Sequence, residues 1–549
     1  MVFESELHIP GAIMEIRGLE VNGENDCKRH TLGYLHLKPL ILIDAMGVLA
    51  HSTGPSMALA PSKRGCLNSH QEEISFDDDI QNPPYSEKHP DGLIDISGSS
   101  NEGMRDYLEE YCAKYRENLP LSQVLEYGSV AGPEKLNVAM AQFFNEWFNP
   151  CVPVEASNTL ATNGVSSLID MIAFNICDPG QGILMPVPTY SMFQGDLHDR
   201  SGVTVVPVRM SHPEDQFRAE FRFQVVKDLE KTYGDASRKG VKVKAVLLCN
   251  PSNPLGRYYS RETLIEIARF CGRHDLHLVA DEIYALSGFP SMSNSLPTFT
   301  SVLSIPDDEK NRVAKENIHS LYGVSKDWAM GGLRLGFLVT RNTGLWNACR
   351  RVALFTWVTH FSTQMWTDFI QDNKNVQDYI RINRERLEKK YRAVTTLMGE
   401  NDVPFLEANG GLFIWIDLSR WLKYFPSDSS ESETRETKLC RYLIQHGVFL
   451  SMGQLYMAPS PGHFRFVYTS PGNEAEIAVR RIGVACRKLE RQVGFGPETA
   501  DDSSINSDES ELSGKKSHTG FKNSGTIGVS KLGLADRVVK FIACHTDSS

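Results

Sequence analysis

The sequence predicts an α/β fold, with a large lobe built on a mainly parallel sheet flanked by helices and a smaller α+β lobe after it. Three observations carry this. Short apolar runs, "GILMPVP" (182–188), "VTVVPV" (203–208), "VKAVLLC" (243–249), "LHLVADEIY" (276–284) and "RLGFLVT" (334–340), alternate with helix-length stretches. That alternation is the pattern of βαβ units. The charged amphipathic run 375–400 reads as one long helix able to bridge two lobes. Strand and helix patterns then resume over 402–490.

Taken in order, residues 1–60 show no period and form an extension of unknown role. Residues 61–125 begin polar and Pro-containing ("DDDIQNPPYSEKHPDG", 77–92) and read as an N-terminal arm with part of the small lobe. The large lobe is expected over 126–372 and the C-terminal small lobe over 373–493. Within the large lobe, Ser260 is placed to cap a helix over "SRETLIEIARFCGRHD". From 494 to 549 the chain is Ser-, Asp- and Gly-rich and is expected to be disordered, although "LADRVVKFIAC" (534–544) could form a short amphipathic helix.

The 549 residues are 41% hydrophobic and 23% charged, with net charge −11 and pI about 5.9. An acidic surface repels nucleic acid and anionic membranes, so neither is an expected partner. Eleven cysteines without a CxxC pair suggest scattered thiols in a reducing compartment. Glu4 and Glu6 stand where a signal peptide would be basic, and "LKPLILIDAMGVLA" (37–50) is short and cut by Asp44. A cytoplasmic protein is the expectation.

Four strand-end stretches could carry chemistry. Asp281 closes an apolar strand with Tyr284 three residues on; it either caps its loop or faces a ligand at the carboxyl edge of the sheet. "NPSNPLG" (250–256) follows another strand, and its asparagines either make an ordinary turn or hold an amide toward a ligand. "LATNGVSSLIDMIAF" (160–174) opens a helix with Ser166 and Ser167 in the first turn, suited to capping or to phosphate. Tyr190, in "MPVPTYSMF" (185–193), either packs in the core or stacks on a planar ring. Lys326 sits among small residues, beside Ser325 and Asp327, and Arg334 follows it by eight positions. A surface lysine needs no such setting; one that bonds covalently to a cofactor does.

In this order, "NPSNPLG", "DEIY" (281–284), "GVSKDWAMGGLRLGF" (323–337), "ANGGLFIWIDL" (408–418) and "SPGHFRF" (460–466) resemble the fold-type-I pyridoxal-phosphate enzymes of aminotransferase class I/II. The nearest subgroup is the 1-aminocyclopropane-1-carboxylate (ACC) synthase-like proteins, and the resemblance spans roughly residues 61–490. It implies a seven-stranded sheet in the large domain. It also implies that Lys326 holds pyridoxal 5'-phosphate as an aldimine and serves as general base at the substrate Cα. Asp281 would pair with the pyridine nitrogen, and Tyr284 and Asn253 would bond the ring hydroxyl. Tyr190 would stack on the ring. Arg334, Ser325, Gly164, Val165 and Ser166 would hold the phosphate. Arg465 would bind the substrate carboxylate, with Asn101 also at the substrate. Tyr127, in "EYGSVAGPEKL" (126–136), matches a position that reaches the phosphate of a neighbouring subunit, which implies a homodimer with shared sites.

Three positions depart from the family's pattern: Gly323 where serine is frequent, Asn137 where arginine is frequent, and Ser100 where ACC synthases carry an acid. The resemblance therefore favours an aminotransferase acting on an L-amino acid and a 2-oxo acid, in the setting of secondary metabolism. A carbon–sulfur lyase or ACC-type cyclisation is the alternative, and a non-catalytic pyridoxal-phosphate regulator a remoter one.

Overall fold

The computed structural model describes residues 79–493 apart from 116–119, 121–123 and 427–432, together with Ser62, Arg64, Asn68 and 74–76. The expected extension (1–60) and the expected disordered tail (494–549), with its candidate helix, lie outside the described residues. All the elements named here belong to one compact unit, Leu67–Ser549; of the other unit, Met1–Cys66, only Ser62 and Arg64 are described.

Strand β1 (Ile94–Asp95) precedes the main sheet. That sheet comprises β2 (Thr159–Thr162), β3 (Gly182–Val187), β4 (Thr204–Arg209), β5 (Val243–Cys249), β6 (His277–Asp281), β7 (Ile318–Gly323) and β8 (Gly336–Thr340). Its seven strands lie in the order β2-β8-β7-β6-β5-β3-β4. Every pairing is parallel except those of β8 with β2 and β7. Every residue of β3 and β7 is buried. Both faces of these strands are therefore covered, which explains why they read as continuous apolar runs rather than alternating ones.

Helices α1 (Arg105–Tyr115) and α2 (Glu134–Trp147) come before the sheet. The segments between its strands contain α3 (Val165–Ile176), α4 (Phe193–His198), α5 (Arg222–Arg238) and α6 (Arg261–Arg273). The Ser260 hydroxyl accepts the Thr263 N–H at 3.1 Å, so the expected cap of α6 is present, a contribution of about 1 kcal/mol. After β8 come α7 (Thr343–Val352), α8 (His360–Gln371) and the long α9 (Asn373–Glu400). Val376, Tyr379 and Ile380 of α9 enter one apolar cluster, whereas Leu387, Tyr391, Val394 and Met398 enter another. The three- and four-residue spacing of these side chains makes one stripe that binds the two clusters together.

The second sheet is antiparallel, in the order β12-β13-β10-β9, from β9 (Phe405–Leu406), β10 (Phe413–Asp417), β12 (Ser451–Met452) and β13 (His463–Val467). Helices α10 (Arg435–Gln445) and α11 (Glu474–Val493) complete this part, and β11 (Val448–Phe449) pairs in parallel with β1. The architecture is the expected α/β fold with a seven-stranded, mainly parallel sheet and a smaller α+β portion. Register aligns Cys249 with Asp281 and Asp281 with Leu321. The carboxyl ends of β5, β6 and β7 thus finish side by side, where ligands bind in open α/β sheets.

Candidate active site

A cavity of about 800 Å³ opens at these strand ends. Asn101, Val165, Ser166, Tyr190, Asn253, Asp281, Tyr284, Ser325, Lys326 and Arg334 all line it. The fold thus brings ten separately read residues to one place.

Asp281 is the last residue of β6. Its carboxylate is buried and accepts the Ile283 N–H at 3.1 Å. Burial pushes the carboxyl up to about 7, against the opposing pull of the Ile283 N–H and Lys326. Lys326 lies in the turn after β7, and its Nζ donates to the Ser99 carbonyl at 2.6 Å. Burial, with Arg465 adding repulsion, brings that amine down to about 8. Tyr284 shares a 2.9 Å hydrogen bond with the Ser99 hydroxyl. Asn253 is presented by the turn after β5, in which Gly256 takes φ 66°. The Tyr190 ring meets Phe193 edge-on at 5.2 Å.

The other end of the cavity is cationic. Arg334 adopts φ 52°, and its Nη1 donates to the Gly331 carbonyl at 3.1 Å. Its guanidinium lies so close to Gly164 (φ 123°) that a Cβ there would stand 2.6 Å from Nη2. Gly164 begins α3 without a side-chain cap, leaving first-turn N–H groups beside Ser166. A free helix N-terminus, a guanidinium and the Ser325 hydroxyl form a setting for a phosphate.

Arg465, on β13, is buried behind this layer and does not line the cavity. Its Nη1 donates to Asn253 Oδ1 at 3.1 Å and its Nη2 to the Ser97 carbonyl at 2.5 Å. Its Nε is buried with no partner among the described residues. Asn101 donates through Nδ2 to Asn383 Oδ1 at 2.9 Å, and its own Oδ1 is likewise unpartnered. Tyr127 lies apart from the cavity, 95% exposed, its ring stacked on Trp357 at 5.5 Å.

Sequence reasoning missed Ser99, which holds both Lys326 and Tyr284; the only available signal was its place two residues before Asn101. It also missed Asp196, whose carboxyl is pushed up to about 7 by burial and then by Asp281. Glu102, Arg105, Glu109 and Cys112 line the cavity too. They come from α1 and the turn before it, and α1 buries no residue, so its pattern gave no sign of a site. The departures have local reasons. A Cβ at Gly323 would stand 2.9 Å from both the Leu335 carbonyl oxygen and Val165 Cγ2, so serine has no room. The Asn137 amide lies over the turn carbonyls of Ala131 and Gly132, at 3.4 and 3.5 Å.

The residues present fit pyridoxal phosphate. A half-buried lysine and a buried carboxylate face one cavity, and its far end is a cradle that a Cβ at Gly164 would fill. The sequence family described as aminotransferase class I and II matches residues 99–482. The chain is similar to the probable inactive ACC synthase-like protein 2 of Mus musculus, with 30% identity over 429 residues, covering 77% of this chain and 71% of that protein. It is also similar to ACC synthase 7 of Arabidopsis thaliana, 29% identical over 420 residues, covering 73% and 88%. Among solved structures, a double mutant of Thermus thermophilus aspartate aminotransferase superposes with a TM-score of 0.59 at 20% identity, covering 79% of this chain and all of that one, a likeness of fold. The chain belongs to the pyridoxal-phosphate-dependent aminotransferase class I and II family, within its ACC synthase-like branch.

Proposed function

We propose that this protein transfers the amino group of an L-amino acid to a 2-oxo acid, in the cytoplasm, as a homodimer. The observation that carries this reading is the opening of half-buried Lys326 and buried Asp281 into the cavity that ends in the Arg334 cradle. When bound, pyridoxal phosphate supplies the electron sink for charge that develops at the substrate Cα. Lys326 is the residue to hold it covalently and, once free, to take the Cα proton. An amine brought down to about 8 leaves a working fraction of free base near neutrality. Asp281 would stand opposite the ring nitrogen, and Asn253 and Tyr284 would bind the ring hydroxyl. Gly164, Val165, Ser166, Ser325 and Arg334 would hold the phosphate, and Tyr190 would stack on the ring. Arg465, which adjoins the cavity through its bond to Asn253, would take the substrate carboxylate on its unpartnered Nε as the substrate displaces one of its present acceptors; Asn101 would orient the substrate. The exposure of Tyr127, together with exposed Leu125 and Phe355, suits a face covered by a second subunit.

The similarity to ACC synthases favours a second reading, in which the same residues serve elimination at Cβ or Cγ. One experiment separates the two. Purified protein is given L-amino acids with a 2-oxo acid, a cysteine S-conjugate, or S-adenosylmethionine. New amino acid and new keto acid in equal amounts support transamination. Pyruvate, ammonia and thiol without an acceptor support elimination and overturn the first reading.

A further inference from the structure

A second cavity, of about 820 Å³, is walled by Trp147 at the end of α2, by the turn after β6 and by α9. Its polar equipment is specific. Arg384 of α9 donates through Nε to the Leu286 carbonyl at 2.9 Å. Among the described residues its Nη groups have no partner. The neighbouring acids do not neutralise it, because Glu385 pairs with Arg381 at 3.1 Å and Glu388 with Arg392 at 2.9 Å. Asn409, also lining the cavity, is 2% exposed. Its Nδ2 donates to the Pro297 carbonyl at 2.8 Å, but its Oδ1 is buried without a partner. An acceptor left in this state calls for a donor. Phe289 and Phe299, with Trp147, supply an aromatic lining between these groups. Arg384 and Asn409 flank one turn: the first holds Leu286, and the Asn409 carbonyl receives the Phe289 N–H at 3.1 Å.

We propose that this cavity binds a small aromatic carboxylate that also carries a hydrogen-bond donor, and that its occupancy is coupled to the lysine site. The anion would pair with Arg384, the donor with Asn409 Oδ1, and the ring with the aromatic lining. The coupling path is short. The Leu286 N–H donates to Asp327 Oδ2 at 2.8 Å, and Asp327 adjoins Lys326. Asn383, next to Arg384, donates to the Asp327 carbonyl at 3.2 Å and accepts from Asn101, which lines the first cavity.

The test is calorimetric titration of 4-hydroxyphenylacetate into the full-length protein, with and without pyridoxal phosphate. One saturable site is expected. Arg384→Gln should weaken it at least tenfold, since a charge-assisted pair is lost. Thr298→Trp, at an exposed position of the lining, should block it by filling the space. Phenylacetate, lacking the hydroxyl donor, should bind more weakly. Arg465→Gln should leave the affinity unchanged. By linkage, the probe should change the affinity for pyridoxal phosphate by the same factor that the cofactor changes affinity for the probe. Unchanged binding in both Arg384→Gln and Thr298→Trp, or loss of binding in Arg465→Gln, overturns the site. Equal affinities with and without cofactor overturn the coupling.

Discussion

Replacing Asp281 with asparagine should stabilise the cofactor-free protein and weaken its hold on pyridoxal phosphate. The Asp281 carboxylate receives one backbone N–H, from Ile283, and the charge of Lys326 offsets only part of its desolvation. Its carboxyl therefore titrates at about 7 in the folded chain, against an ordinary 3.8. At about 1.36 kcal/mol per pK unit, holding it ionised at pH 8 costs the fold about 4 kcal/mol. The folded chain keeps this proton where the unfolded chain has lost it. The stability contributed by protonated Asp281 is thus complete below about pH 4 and is lost as pH rises to about 7. Asparagine never ionises and escapes that loss. The assay is denaturant unfolding of both apoproteins between pH 4.5 and 8. Glu282 and Asp327 titrate over the same range in both, and Asp196, raised in part by Asp281, titrates lower in the variant, which adds to the difference in the same direction; the difference between the two curves is the readout. It should be small at the acid end and reach a few kcal/mol at pH 8, in favour of the variant. With cofactor the order should reverse, because the ring nitrogen loses its carboxylate partner. Equal apoprotein stability at pH 8, or an unchanged affinity for pyridoxal phosphate, would refute the reasoning.

Lys326→Ala should lower turnover by several orders of magnitude, since the covalent anchor and the base vanish together, and borohydride should tag Lys326 in the wild type; undiminished turnover would reject the assignment. Arg465→Lys should raise KM about tenfold or more while sparing cofactor affinity, whereas Arg334→Ala should weaken cofactor retention first; equilibrium dialysis separates the two, and cofactor loss as the main effect of Arg465→Lys would move Arg465 into the phosphate site. Gly323→Ser should destabilise by about 1–3 kcal/mol, because the new Cβ meets the Leu335 carbonyl and Val165; a thermal midpoint at or above the wild-type value would contradict the packing. ACC formation from S-adenosylmethionine should be slow, because position 100 presents a hydroxyl rather than a carboxylate to the sulfonium; efficient ACC release by the unmodified protein would show that another group, such as Glu102 or Glu109 of the same cavity, fills that role.

The places of Lys326, Asp281, Asn253, Tyr284 and Arg334 were legible because each ends a strand, follows one or sits in a turn marked by Pro or Gly, so its position at the sheet's carboxyl edge is a local property. The seven-stranded sheet was legible for a related reason: strands buried on both faces must be continuously apolar. Ser99 was not legible, because it acts on Lys326 through a backbone carbonyl that any residue possesses. Strands β9 and β12 have two residues each and are too short for a period to register. The Arg465 contacts were hidden too: the Ser97 carbonyl it holds lies 368 residues away in sequence. The second cavity joins α2, a turn and α9, and only the packing of α9 across both clusters brings these together.

The first cavity is arranged against the stability of the empty fold. Asp281 and Lys326, which line it, are each displaced from their ordinary titration chiefly by burial, and the charges around them repel as well as attract: Arg465 lowers Lys326, and Asp281 raises Asp196, which lies outside the lining. Because Asp281 and Lys326 open onto the cavity, partners of their own can reach them there. A protonated ring nitrogen beside Asp281 and a phosphate on Arg334 would supply both at once. The cofactor should therefore stabilise this fold as well as equip it, and variants that relieve the buried charges should exchange affinity for stability. Asp327 stands outside that exchange. Its carboxyl, raised to about 7 by burial, is held by the Leu286 N–H and the Tyr322 hydroxyl rather than by any group of the cavity. Asp327→Asn should thus leave cofactor affinity nearly intact while loosening the link from Leu286 to Lys326, which makes it the substitution that tells strain within the site from communication into it.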